Sequence, residues 1–78
     1  MRQKTFRTVI TFDTTAAAIA MEKLCQSRDL PGRLIPVPRA ITANCGIAWS
    51  APPEDQERLL SAAAEGGVPT AGVYTMLL

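Results

Sequence analysis

The sequence contains no histidine, and this absence removes several kinds of catalytic and metal site. Histidine titrates near neutral pH and is the most common metal ligand. Catalytic groups built on Ser-His-Asp or Cys-His and zinc sites that contain histidine are therefore excluded. Two cysteines alone are too few for a four-thiolate zinc site. We expect no metal and no cofactor.

Aromatic residues are also few, with two Phe, one Trp and one Tyr. They are scattered along the chain and do not form the aromatic motif of RNA-binding sheets. The net charge of +1 is small, so the sequence indicates no nucleic-acid partner. The apolar stretches are shorter than the roughly 20 residues of a membrane span, and no signal segment opens the chain. We expect a cytoplasmic protein without a membrane partner, and its cysteines are expected to be reduced.

A chain of 78 residues has room for one small globular domain, which we expect residues 1–78 to form. Its charges are unevenly spread along the sequence. Residues 1–39 carry seven basic and three acidic side chains, whereas residues 40–78 carry one and four. The basic half could steer an anionic ligand, although ordinary solvated surface charge explains the same pattern.

Alternation of apolar and polar residues predicts four strands, and three-to-four spacing predicts two helices. The predicted strands cover residues 5–12, 33–35, 46–50 and 73–77. The order β-α-β-β-α-β predicts an α+β, ferredoxin-like fold, in which a four-stranded antiparallel sheet carries both helices on one face. The other face, where Val9, Val37 and Ala48 are expected, would be solvated or covered by a second copy, so a homodimer is a candidate assembly.

Both predicted helices have recognisable first turns. Asp13 is in position to cap the first helix, because its side chain can accept a backbone N–H at the helix start. Pro52 and Pro53 suit the start of the second helix. Glu54 and Arg58 lie four residues apart there, which is the spacing of an ion pair on a helix surface.

The long connection between the second and third strands carries most of the candidate chemistry. Pro36 and Pro38 stiffen it, because proline fixes its own φ and holds the preceding residue extended. Gly46 has no side chain, so a ligand can approach its backbone N–H and the neighbouring thiol of Cys45. Arg39 brings a positive charge, which favours the thiolate form of a nearby cysteine.

Thr42 and Asn44 add short side chains that can hydrogen-bond an anionic sulfur or selenium species. These two residues, with Arg39 and Gly46, are our candidate substrate-binding residues, and Cys45 is the candidate functional thiol. The alternative is that Cys45 is a small apolar residue that fills a gap at the start of a strand. The other cysteine, Cys25, is expected to pack at the margin of the core.

Three pieces of this sequence resemble a known family. They are the turn Pro36-Val-Pro-Arg39 with Ile41 after it, the step Cys45-Gly46-Ile-Ala48, and the closing pair Val73-Tyr74. Together with the opening strand that ends in Phe12, they make almost the whole chain similar to the small bacterial family called Putative Se/S carrier protein-like.

The resemblance implies a carrier protein rather than an enzyme that turns over a substrate. Cys45 would hold a terminal sulfur or selenium atom as a persulfide or selenosulfide, and would pass it from a donor protein to an acceptor protein. A single active cysteine fits carriage better than dithiol redox chemistry, which needs a resolving cysteine close by. Two alternatives stay open: a non-catalytic binding or regulatory module with a structural Cys45, and a thiol redox sensor.

Overall fold

The computed structural model describes residues 4–78, so the first three residues of the expected domain lie outside it. Its helices and strands follow the predicted order β-α-β-β-α-β, which confirms the α+β, ferredoxin-like arrangement. The elements are β1 (Phe6–Thr11), α1 (Thr15–Ser27), β2 (Arg33–Pro36), β3 (Ile47–Ala51), α2 (Gln56–Glu65) and β4 (Gly72–Leu77). A short 3-10 turn, Pro53–Asp55, precedes α2.

The sheet has the strand order β2-β3-β1-β4, and all neighbouring strands are antiparallel. β1 is a central strand, while β2 and β4 form the two edges. Thr11, the last residue of β1, lies opposite Ala48 in β3 and opposite Gly72 in β4. The chain therefore leaves β1 for α1 at the same end of the sheet at which it enters β3. This end is called the α1 end below.

One face of the sheet, the helix face, packs against both helices. Ile10, Phe12 and Trp49 are buried there together with Met21 of α1 and Leu59 of α2. The alternating pattern of the strands produces this core, because every second side chain points toward the helices. Burial of these side chains supplies most of the favourable free energy of folding.

The opposite face, called the second face, carries a smaller core. Val9 and Ala48 are fully buried there, and Ile41 joins them from the connection between β2 and β3. Val37 is partly buried against the same cluster. This connection therefore folds over part of the sheet, so the chain itself covers apolar residues that a second copy would otherwise have to cover.

The predicted helix cap is wrong by one residue. Thr14 is the N-cap of α1: its backbone is extended and its Oγ1 accepts a hydrogen bond from the Ala17 N–H at 3.1 Å. Asp13 instead accepts a hydrogen bond from the Asn44 side chain at 3.0 Å. Both Asp and Thr are good caps, and the point at which the chain turns out of β1 decides between them.

The predicted ion pair of Glu54 and Arg58 is also not formed as expected. Arg58 pairs with Asp55 at 2.9 Å, three residues earlier. The physical reason is that the chain enters α2 through the 3-10 turn Pro53–Asp55, in which side chains three residues apart are in line, so that Asp55 and not Glu54 lies beside Arg58.

Candidate functional site

Cys45 lies two residues before β3 and follows the alternation of that strand. Cys45, Ile47 and Trp49 all belong to the helix-face cluster, and Cys45 is only 5% exposed. Its two neighbours along the chain, Asn44 and Gly46, are exposed. The thiol is thus a buried side chain directly beneath the surface, at the α1 end of the sheet.

The start of α1 is the immediate environment of this thiol. The Cys45 Sγ lies 3.7 Å from the Thr15 Oγ1, and Thr15 is the first residue of α1. Backbone N–H groups in the first turn of a helix lack partners within the helix, and the aligned peptide dipoles place partial positive charge there. A helix N-terminus therefore stabilises negative charge on a group beside it, and a thiolate or persulfide anion is such a group.

Two hydrogen bonds fix the chain on either side of Cys45. The Asn44 Nδ2 donates to the Asp13 Oδ1 at 3.0 Å, which ties the Cys45 segment to the loop before α1. The Val37 N–H donates to the Gly46 carbonyl at 3.1 Å, which extends the pairing of β2 and β3 by one step. A Cβ added at Gly46 would meet no atom within 4 Å, so the space over this residue is open.

The structure separates Arg39 from Cys45. Arg39, Pro36 and Pro38 line a cavity on the second face, whereas Cys45 packs into the helix-face core. Across residues 4–78, no hydrogen bond or ion pair joins Cys45 to Arg39 or to the exposed Thr42. Asn44 and Gly46 adjoin Cys45 along the chain, and the substrate-binding roles of Arg39, Thr42, Asn44 and Gly46 all stay predictions.

Sequence reasoning missed Thr15, the side chain that contacts the Cys45 sulfur. A signal for it existed, because Cys45 shares its alternation with Ile47 and Trp49 and so had to face the helices. The antiparallel pairing of β1 with β3 then brings the residues before β3 close to the residues after β1.

Cys25 and Cys45 are both free, and both are buried in the helix-face core. Cys25 is 1% exposed, which is deeper than the core margin predicted for it. Ten residues of α1 separate it from Thr15, about 15 Å along the helix axis. The Cys45 sulfur, 3.7 Å from the Thr15 hydroxyl, is therefore roughly 9 Å or more from the Cys25 Cα, too far for a disulfide.

Burial raises the pKa of the Cys25 thiol above its ordinary value, because the core disfavours the charged form. The unfolded chain loses this proton first as the pH rises. The stability that the protonated, buried thiol gives the folded protein is therefore complete below the ordinary pKa of 9.0. It is lost as the pH rises through the pKa of the thiol in the folded protein. We expect the free energy of unfolding to fall between pH 8 and pH 10, and to fall less in Cys25→Ala. Urea unfolding at both pH values measures this, and equal falls in the two proteins would contradict it.

No three His, Cys, Asp or Glu side chains of residues 4–78 come together where they could hold a metal ion. No helix in the same range is long and apolar enough to cross a membrane.

A comparison with protein families matches residues 7–75 to the family described as Putative Se/S carrier protein-like. This chain belongs to that family. The match covers the connection between β2 and β3 and the step Cys45-Gly46, on which the resemblance was first based. No curated protein and no solved structure matches the chain.

Membership of a carrier-like family implies partner proteins, because a carrier receives its cargo from one molecule and gives it to another. The exposed residues around the buried thiol are Thr15, Asn44 and Gly46, all at the α1 end of the sheet.

Proposed function

We propose that this protein carries a terminal sulfur or selenium atom on Cys45, as a persulfide or selenosulfide, for delivery to a partner protein. The observation that carries the proposal is the position of the Cys45 Sγ, 3.7 Å from the Thr15 hydroxyl at the start of α1. Family membership supports the same role. The distance between the two cysteines supports carriage over dithiol redox chemistry, because no resolving thiol lies within reach.

Loading is a thiol exchange in which all atoms and electrons are retained. The Cys45 thiolate attacks the terminal sulfur of a donor persulfide, R–S–SH, and the S–S bond of the donor breaks. The products are the Cys45 persulfide and the thiolate R–S⁻. Unloading is the same reaction with an acceptor thiolate as the nucleophile, and it returns Cys45 as a thiolate. A donor selenosulfide, R–S–SeH, reacts in the same way and transfers selenium.

The surroundings of Cys45 suit both steps. The first turn of α1 and the Thr15 hydroxyl stabilise the negative charge on sulfur before and after each transfer. Burial of the thiol protects the terminal atom from water and from stray thiols. A donor reaches the sulfur past the exposed Asn44 and Gly46.

The remaining predicted residues act through the connection between β2 and β3 in this proposal. Pro36 and Pro38 hold the residues before them, Ile35 and Val37, extended, which keeps Val37 bonded to Gly46 before the chain turns after Pro38. Thr42 contacts the arriving partner rather than the sulfur, since it is exposed. Arg39 lines the cavity on the second face, away from Cys45, and has no part in the transfer.

Intact-mass measurement tests the proposal directly. Reduced protein is incubated with glutathione persulfide and measured under non-reducing conditions, with Cys45→Ser and Cys25→Ser in parallel. We expect the mass of one added sulfur atom in the unchanged protein and in Cys25→Ser, its removal by dithiothreitol, and no addition in Cys45→Ser. Persistent addition in Cys45→Ser, or none in the unchanged protein, would rule the carrier role out.

The role of Thr15 is tested by the loading rate. Thr15→Val removes the hydroxyl and keeps the shape of the side chain, so we expect loading to slow by about tenfold, the value of one hydrogen bond to a charged group. Thr70→Val is the matched control, because Thr70 is exposed in the loop before β4. Equal rates for the two variants would show that the Thr15 hydroxyl does not assist the sulfur.

A further inference from the structure

Positive charge is concentrated on the second face of the sheet. Arg7 and Arg33 project from it, and Lys4 and Arg39 reach it from the residues before β1 and after β2. The acidic side chains of the described chain all belong to loops and the helix layer; they are Asp13, Glu22, Asp29, Glu54, Asp55, Glu57 and Glu65. The helix layer and the second face thus differ in charge.

The pattern of ion pairs follows the same division. Arg28 pairs with Glu65 at 2.7 Å and Arg58 pairs with Asp55 at 2.9 Å, and both pairs lie in the helix layer or beside it. Within residues 4–78, no Asp or Glu side chain pairs with any of the four cations of the second face. Unpaired cations that share one concave surface raise the local concentration of anions.

A cavity of about 660 Å³ lies among these cations. Lys4, Arg33, Arg39 and the buried Ser50 line it. The Arg7 Nε donates to the Ser50 Oγ at 3.1 Å, which fixes the hydroxyl and leaves its hydrogen free to donate. Four residues whose polar groups can donate to an anion therefore line one space.

The rest of the cavity wall is apolar. Ile35 and Val37 form it on the side of β2, and Leu78 forms it on the side of β4. Ile35 and Val37 are held in place by the second-face core beneath them. Sites for small molecules have this composition, a mostly apolar concave surface with a few convergent polar groups, and their volumes are about 300–1,000 Å³.

We propose that this cavity binds a small organic anion. Its acidic group is held among Lys4, Arg33 and Arg39, and its apolar body lies against Ile35 and Val37. The apolar wall distinguishes such a ligand from an inorganic ion, which gains nothing from it. The site is distinct from Cys45 and does not depend on the carrier role.

A concave site favours a small molecule over a protein segment here. A peptide that adds to a sheet pairs with an exposed edge strand. The nearest edge, β2, has only four residues and ends in Pro36, which has no N–H to donate. The recognition chemistry is that of a carboxylate or another acidic group on an apolar body.

Titration of the protein with octanoate, acetate and 1-octanol, followed by amide NMR shifts, tests the proposal. We expect saturable shifts at Arg33, Val37 and Ser50 with octanoate. Acetate lacks the apolar body and octanol lacks the charge, so each should bind at least about tenfold more weakly. Acetate as effective as octanoate, or octanoate shifts confined to the helices, would overturn the proposal.

Two variants that each remove one positive charge distinguish binding in the cavity from a general effect of the protein's net charge. Arg33→Gln should weaken octanoate binding by about tenfold, the value of one charged contact. Lys23→Gln removes a charge from the exposed side of α1 and should leave the affinity unchanged. Equal weakening in both variants, or tighter binding of a Glu-rich peptide than of octanoate, would overturn the small-anion site.

Discussion

Replacing Gly32 by alanine is expected to lower the free energy of unfolding by about 3 kcal/mol or more, because strain and overpacking act together at this residue. Gly32 has a φ of +124°, which side-chain-bearing residues rarely adopt. A Cβ here would overlap the indole Nε1 of Trp49 and would lie 2.7 Å from the carbonyl oxygen of Ser50. Trp49 cannot move aside easily, since its Nε1 donates to the Pro31 carbonyl at 3.2 Å.

Two other glycines provide graded controls for this substitution. Gly67 also has a positive φ, +72°, but a Cβ there would meet no atom, so Gly67→Ala should cost about 1 kcal/mol. Gly46 has neither a positive φ nor a neighbour, so Gly46→Ala should change stability by less than about 0.5 kcal/mol. Urea unfolding followed by Trp49 fluorescence measures all three. A Gly32→Ala protein as stable as Gly46→Ala would contradict the geometry of this turn.

Replacing Phe12 by alanine is expected to cost about 3–5 kcal/mol. Phe12 is fully buried in the helix-face core, and removing its ring leaves a cavity that the surrounding residues can fill only in part. Small domains have a total stability of about 5–15 kcal/mol, so this loss is a large fraction of the whole. We therefore expect a much lower urea midpoint and a substantial unfolded population near body temperature.

Phe6 is the matched control for Phe12, because both belong to the opening strand region and have the same side chain. Phe6 is 63% exposed, so Phe6→Ala should cost less than about 1 kcal/mol. Unfolding curves of the two variants under the same conditions measure the difference. Similar losses would show that Phe6 is buried as Phe12 is, and would contradict this prediction.

The fold was predictable from the sequence because its strands alternate and its helices have clear ends. The period-two pattern of β1 places Ile10 and Val9 on opposite faces, and each is buried in its own cluster. The helix cap was not predictable to the residue, since Asp13 and Thr14 are both capping types and backbone geometry selects between them. The partner of Arg58 depended in the same way on where the 3-10 turn ends.

The site was predictable only in part. Cys45 and Gly46 were identified from their residue types. The spacing of residues in the sequence, however, does not predict where the ten-residue connection before β3 runs over the sheet. That path crosses the second face, where Ile41 is buried, and it separates Arg39 from Cys45. Charge in a sequence does not report which face of a sheet a loop will cover, so both the Thr15 contact and the basic cavity needed the structure.

The strand order has a consequence for the course of folding. β1 comes first along the chain, yet its two partners are β3 and β4, which come last. The Thr11 side chain bonds to the Gly72 carbonyl across 61 residues. Closing such a long loop costs conformational entropy before the contacts that offset this cost can form. Chains with this pairing therefore fold more slowly than chains with local pairing. During synthesis, one edge of β1 stays unpaired until β3 has been made and the other until β4, the last strand, has been made, so in that interval β1 can pair with strands of other chains.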